Sequence, residues 1–172
     1  CALLGLAPTE NLFIKDGDWQ TPCVPLALAK GPFAIAMQQQ EAVMCIDVEH
    51  PKVNDKEGLA LFDDTGEQTE YLQQVSSMLK AIQQGMQDTS ELVAMFTEFA
   101  LIEPVAIDIK LDNQPTPALS GLYTISADAL SALPAERLLT LNQMGFLPLA
   151  YFISHSLNNV NRLIELKNAV KI

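Results

Sequence analysis

Val105-Ala106-Ile107-Asp108-Ile109-Lys110-Leu111 sets apolar residues against small or polar ones at every second position. Successive side chains of a strand point to opposite faces, so this period of two predicts a strand with one face buried and one wet. The turn-forming run Asp112-Asn113-Gln114-Pro115 follows, and Leu119 to Ile125 is expected to return as the antiparallel partner. Pro104, just upstream, marks the end of a preceding helix.

Outward from this hairpin the period changes from two to between three and four. Leu72, Val75, Leu79, Ile82 and Met86 form one apolar stripe, which predicts a helix from about Thr69 to Met86. Asp88 and Glu91 have the spacing of a capping box, so a second helix carrying Leu92, Met95, Phe96 and Phe99 is expected after it. Downstream, Ser126 suits the N-cap of a short helix from Ala127 to Leu133. Pro134 suits the first turn of another that ends near Gly145. Phe152, Ile153, Ser156, Val160, Leu163 and Ile164 then share one face of a long terminal helix running from Leu149. The stripes Leu72 to Met86 and Leu149 to Ile164 are both expected to pack on the sheet containing Val105 to Leu111.

The first third reads as β structure. Ala2 to Leu6 and Leu12 to Ile14 are short apolar runs, and Asp16-Gly17-Asp18 turns the chain before Trp19, which suggests a small meander. Pro22, Pro25 and Pro32 punctuate a loop with room for one turn of helix. Phe33, Ile35 and Met37 alternate, Gln38 to Glu41 is polar, and Val43 to Val48 is again β-rich, as in a hairpin. Together these elements predict an α+β fold, a mainly antiparallel sheet packed by amphipathic helices, with residues 1–172 forming a single domain.

Composition removes several functions. Ten Lys plus Arg stand against 21 Asp plus Glu, a net charge of −11. No basic face is available for nucleic acid or for an anionic membrane. The apolar share of 49% with 18% charged residues is that of a chain with a sizeable core. No run reaches the length of a membrane-spanning helix. Cys1, Cys23 and Cys45 are widely spaced, with no Cys-x-x-Cys and no Cys/His cluster, which argues against a disulfide framework or a zinc site. Cys45, inside Ala42-Val43-Met44-Cys45-Ile46, is expected to be a small buried thiol. Glycines stand alone, so nucleotide-binding glycine loops are absent, as is a nucleophile elbow. No cofactor or metal is implied.

The densest polar constellation is Asp47, Glu49 and His50, with Asn54, Asp55 and Glu57 close behind. Strand alternation would put Cys45, Asp47 and Glu49 on one face, and two carboxylates beside an imidazole can serve as acid and base. The plainer reading is a solvated strand face that runs into an acidic loop. Asp63-Asp64-Thr65-Gly66-Glu67 lacks the ligand alternation of a calcium loop and reads as a turn before a helix. Adjacent residues on a helix diverge by about 100°, so Ser154 and His155 do not form a dyad. Trp19, the lone tryptophan, is the candidate ligand-stacking residue, against the commoner role of plugging a core edge.

Cys1 to Leu6 has no initiator Met and reads as a strand interior, so the chain is expected to be a piece of a longer one. A Cys at position 1 is also where a processed lipoprotein carries its lipid, though such anchors lead into polar tethers rather than apolar runs. A strand at Ala2 to Leu6 would have an unpaired edge, which predicts a homodimer through it or pairing with the missing N-terminal segment.

In order along the chain, Ala2-Leu3-Leu4-Gly5-Leu6, Glu10-Asn11-Leu12-Phe13, Asp16-Gly17-Asp18-Trp19, Pro32-Phe33, Cys45-Ile46-Asp47, and Gly58-Leu59-Ala60-Leu61-Phe62 with Gly66-Glu67 resemble the bacterial SapC family. Glu103-Pro104, Gly121-Leu122-Tyr123 with Ile125, and Ser156-Leu157-Asn158-Asn159 extend the resemblance over nearly the whole chain. It implies a non-enzymatic accessory or binding role in surface-layer or nutrient-uptake physiology, since similar proteins are often encoded beside outer-membrane receptors. It brings no catalytic residue with it. The alternative is an enzyme acting on a carbohydrate or related metabolite through Asp47 and Glu49. Cytoplasmic residence is favoured over other compartments. Relatives are more basic before Pro-Phe, where Lys30 alone remains, and Asp47 is the residue most worth testing.

Overall fold

The computed structural model describes residues 2–39, 41–111 and 118–169. In chain order the elements are β1 (Ile14–Lys15), β2 (Asp18–Trp19), α1 (Leu26–Ala29), β3 (Phe33–Gln38), β4 (Glu41–Ile46), α2 (Glu70–Glu98), β5 (Ile102–Asp108), β6 (Ala118–Ile125), α3 (Ala127–Ser131), α4 (Ala135–Gln143), α5 (Phe146–Ser156), a 3-10 turn (Leu157–Asn159) and α6 (Val160–Ala169). The fold is α+β and its strands pair antiparallel, β1 with β2, β3 with β4 and β5 with β6. Among the described residues there are three two-stranded hairpins rather than one sheet. The chain divides into two compact units, Cys1–Pro22 with Glu91–Ile172, and Cys23–Ser90.

In the unit Cys23–Ser90, β3 and β4 pair in register from Phe33 opposite Ile46 to Gln38 opposite Glu41, as the alternation predicts. Their inner face carries Phe33, Ile35, Met44 and Ile46, which pack with Leu72, Val75 and Leu79 of α2. The stripe on α2 thus packs on this hairpin and not on the one containing Val105. Phe33 and Tyr71 meet edge to face with ring centroids 6.2 Å apart. Thr69 caps α2, its hydroxyl accepting from Leu72 N and donating to the carbonyl of Ala60. The prolines enclose a single helical turn, α1, as expected. Cys45 lies on the outer face of the hairpin and is exposed. Its neighbours Met44 and Ile46 hold the inward positions, and alternation leaves it no other side.

Helix α2 runs unbroken from Glu70 to Glu98, where the capping-box spacing predicts two helices. A cap needs a residue outside helical geometry whose side chain receives the first free N–H groups. Here Thr89 and Ser90 instead donate their hydroxyls back to the carbonyls of Gly85 and Met86, and Asp88 accepts from Gln84 within the same helix. Gly85 in a helix interior costs only about 1 kcal/mol. Met86, taken as the end of the stripe, is exposed.

In the other unit the core gathers Phe96, Phe99, Leu101, Ile125, Leu130, Leu141, Phe146 and Ala150. A second cluster joins Leu6, Ile109 and Leu163, with Ile107, Leu111, Leu119 and Ile164 against it. The α6 part of the terminal stripe, Leu163 and Ile164, therefore packs on the β5–β6 hairpin, whereas Leu149, Phe152 and Ser156, expected on the same face, are exposed. That hairpin pairs Ile102 with Ile125 and Val105 with Leu122, then shifts register before Ile107 meets Leu119. The extra residue falls on β6 beside Gly121, whose φ of 77° is one that a bulge of this kind demands and glycine tolerates. Pro104, expected to end the helix before the strand, lies within β5; the helix has already stopped, with Ala100 left-handed at φ 54°. The turn at Asp112-Asn113-Gln114-Pro115 lies outside the described residues.

Ser126 caps α3, accepting from Ala129 N, and Gly145, at φ 74°, separates α4 from α5, both as the sequence suggests. The terminal helix is not continuous. Ser156 turns its hydroxyl to the carbonyl of Ile153, and the 3-10 turn Leu157–Asn159 intervenes. Three residues at 120° instead of 100° advance the phase by about 60°. Val160 and Leu163 are consequently buried while Phe152, assigned to the same face, is exposed.

Ala2 to Leu6 forms no strand. Leu6 N donates to a Glu10 carboxylate oxygen at 2.9 Å, and Leu12 N donates to Leu4 O at 2.8 Å, closing a loop upon itself. Its apolar run marks burial, since Leu6 is 2% exposed, not strand pairing. The unpaired edge expected there is not formed.

Candidate functional site

Asp47 follows directly on β4. Its N–H donates to the carbonyl of Pro32, and its Oδ1 accepts from Glu49 N at 3.1 Å. That bond is an Asx turn, which ends the strand and its alternation. Glu49 therefore does not share a strand face with Cys45 and Asp47. Both carboxylates are exposed. His50, half-buried, donates its N–H to Asp47 O, and its Nδ1 accepts from Lys52 N at 3.1 Å. An accepting Nδ1 places the proton of the neutral ring on Nε2. Asn54 repeats the pattern, its Oδ1 accepting from the N–H groups of Lys56 and Glu57. The polar loop is a succession of turns stitched by its own side chains.

A shallow depression beside it is lined by Val48, Val53, Asn54, Asp55 and Lys56. Asp47, Glu49 and His50 do not line it. Among the described residues no group of three His, Cys, Asp or Glu side chains is placed to hold a metal ion, and no helix is long and apolar enough to cross a membrane.

Asp63 heads a tighter turn. Its Oδ1 accepts from the hydroxyl and N–H of Thr65 and from Glu67 N, and these bonds, the Thr65 hydroxyl first, hold its carboxyl below the usual range. The turn precedes α2, as the sequence suggests.

Trp19 lies in the other unit, on β2 opposite Ile14. Asp16 and Gly17, with φ of 54° and 90°, form the mirror-image turn that joins β1 to β2. Trp19 is half-buried, which leaves part of the indole open to solvent. Lys30 donates its Nζ to the carbonyl of Phe33 at 2.7 Å, so the one cation before Pro-Phe closes a local loop.

Two features have no counterpart in the sequence reading. Glu10 meets Lys167 of α6, a pairing that no local pattern signals. The outer face of α5 is apolar and exposed; the absence of charge between Arg137 and Arg162 is the signal that could have found it.

The ordered motifs and the fold define an α+β chain whose polar residues build turns. The protein-family model SapC matches residues 1–163, and the chain belongs to the SapC family. No curated protein matches it, and no solved structure does.

Proposed function

We propose that this SapC-family chain is a non-enzymatic accessory or binding protein acting in surface-layer or nutrient-uptake physiology. The observation that supports it most is the state of Asp47. An acid–base pair requires carboxylates held in a shielded site at defined distance from a bound substrate. Asp47 and Glu49 are exposed, and Asp47 Oδ1 holds a turn. We assign ligand contact to Trp19, whose indole combines a fixed backbone position with partial exposure. The family match runs through both compact units, which supports treating residues 1–172 as one domain.

The test is a thermal-shift and calorimetric screen of the protein against sugars, peptides and metal salts, with product analysis of every mixture. Binding without conversion, weakened in Trp19→Ala and kept in Asp47→Asn/Glu49→Gln, is the expected result. Conversion of a sugar substrate that the double variant loses would establish the enzyme reading instead.

A further inference from the structure

Helix α2 has a buried face at both ends and none in the middle. Leu72, Val75 and Leu79 are buried with Phe33 in one core, and Phe96, with Leu92 and Met95, packs in the core of the other compact unit. Between them Gln83 to Ser90, eight positions in a row, are all exposed. At about 100° per residue these positions cover more than two turns, so every side of the helix faces water there. In α3 to α6 no exposed run is longer than three residues.

A helix in a folded protein draws most of its stability from a packed apolar face, because nucleation is costly and short isolated helices barely form in water. The stretch from Gln83 to Ser90 lacks that support. Met86, which continues the stripe of Leu72, Val75 and Leu79, is 69% exposed. Gly85, Asp88, Thr89 and Ser90 are all weak helix formers. Side-chain hydrogen bonds of the stretch stay inside the helix, from Gln84 to Asp88, from Thr89 to the Gly85 carbonyl and from Ser90 to the Met86 carbonyl. The last two draw a hydroxyl onto a carbonyl that already accepts a backbone N–H, which weakens and bends helices.

We propose that the middle of α2 is a built-in breaking point, opening locally and reversibly while the two ends of the helix stay folded in their own cores. A domain can hold several cooperative units that open with different free energies, and segments with few buried apolar contacts open first. The continuous backbone of α2 joins two packed ends, and the unpacked turns between them release no buried apolar surface when they open. Strain or loss of packing in the core around Val75 therefore stops at Gln83 and does not reach the core around Phe96.

Native-state hydrogen exchange of the full chain tests this. The amides of Gln87 to Ser90 donate to carbonyls of residues 83–86, so both partners of each bond lie in the unpacked stretch. After correction for intrinsic rates they should exchange at least about tenfold faster than those of Ser76 to Lys80 and of Phe96 to Glu98. Gly85→Ala/Ser90→Ala, which supplies better helix formers at two exposed positions, should slow exchange at Gln87 to Ser90 by about tenfold and leave both ends unchanged. Val75→Ala should speed exchange at Ser76 to Lys80 and not at Phe96 to Glu98. Uniform protection along α2 in the wild type overturns the proposal. So does a double variant whose middle exchanges as before, or an effect of Val75→Ala that extends to Phe96.

Discussion

The Glu10 carboxylate accepts a hydrogen bond from Lys167 Nζ at 2.5 Å, across 157 positions of sequence. The other carboxylate oxygen accepts from Leu6 N at 2.9 Å, so one side chain ties the N-terminal loop to α6. The pair is mostly shielded, with side-chain exposures of 24% for Lys167 and 19% for Glu10. Partial burial by itself raises the Glu10 carboxyl, but the Lys167 and Leu6 hydrogen bonds together with the Lys167 charge outweigh it and hold the group below its ordinary range.

A carboxyl whose pKa is depressed on folding stabilises the fold above its unfolded pKa, and loses that contribution as pH falls through the folded value. Glu10→Ala should therefore cost about 1 to 3 kcal/mol at neutral pH, through the unpaired Leu6 N–H and the lost ion pair. The gap from wild type should narrow as pH falls below the ordinary glutamate value of about 4.3, where the charge of Glu10 is lost. Urea denaturation at several pH values checks this; a gap independent of pH would place the cost elsewhere.

Gly5 lies against this tie. A Cβ built there would stand 2.6 Å from the Glu10 carbonyl oxygen and 2.8 Å from its Cβ and Cγ. Gly5→Ala should destabilise by roughly 1 to 3 kcal/mol, as overpacking does, read as a lower midpoint in denaturant. A neutral substitution would show that the loop has room to move.

Gly85 gives the opposite sign. It sits inside α2 with no atom within 4 Å of an added Cβ and no positive φ. Gly85→Ala should stabilise by up to about 1 kcal/mol. A helix boundary at Asp88, as the capping-box spacing suggests, would make the same change neutral or harmful, and thermal melts separate the two.

Leu79, 4% exposed, closes the cluster of Phe33, Leu72 and Val75. Leu79→Ala should cost about 2 to 5 kcal/mol. Loss of under 1 kcal/mol would mean that α2 does not pack on the β3–β4 hairpin as described.

Periodicity carried much of this architecture. The stripe from Leu72 to Leu79, the alternation from Phe33 to Ile46, and the return of Leu119 to Ile125 are all repeated signals along a regular element, and each element formed. Periodicity does not say which hairpin a stripe packs on, and α2 chose β3–β4. It also misjudges continuity, because Thr89 and Ser90 satisfy their hydroxyls inside a helix as readily as at its start. Apolar content alone does not separate a strand from a buried loop, and Ala2 to Leu6 became the latter once Glu10 took the Leu6 N–H. At the candidate site the residues of the polar loop were visible in sequence, but the Asx turn at Asp47, which redirects Glu49, depends on a side-chain bond that alternation ignores.

Asp47 is a turn residue, and the comparison of Asp47→Asn with Asp47→Ala tests that most directly. Asn retains the Oδ1 that accepts from Glu49 N, whereas Ala removes it. Thermal stability measured together with product formation across the sugar panel should show Asn equal to wild type, Ala lower by about 0.5 to 1.5 kcal/mol, and no turnover in any of the three. Turnover in the wild type that vanishes in Asp47→Asn at undiminished stability would make Asp47 a catalytic residue instead.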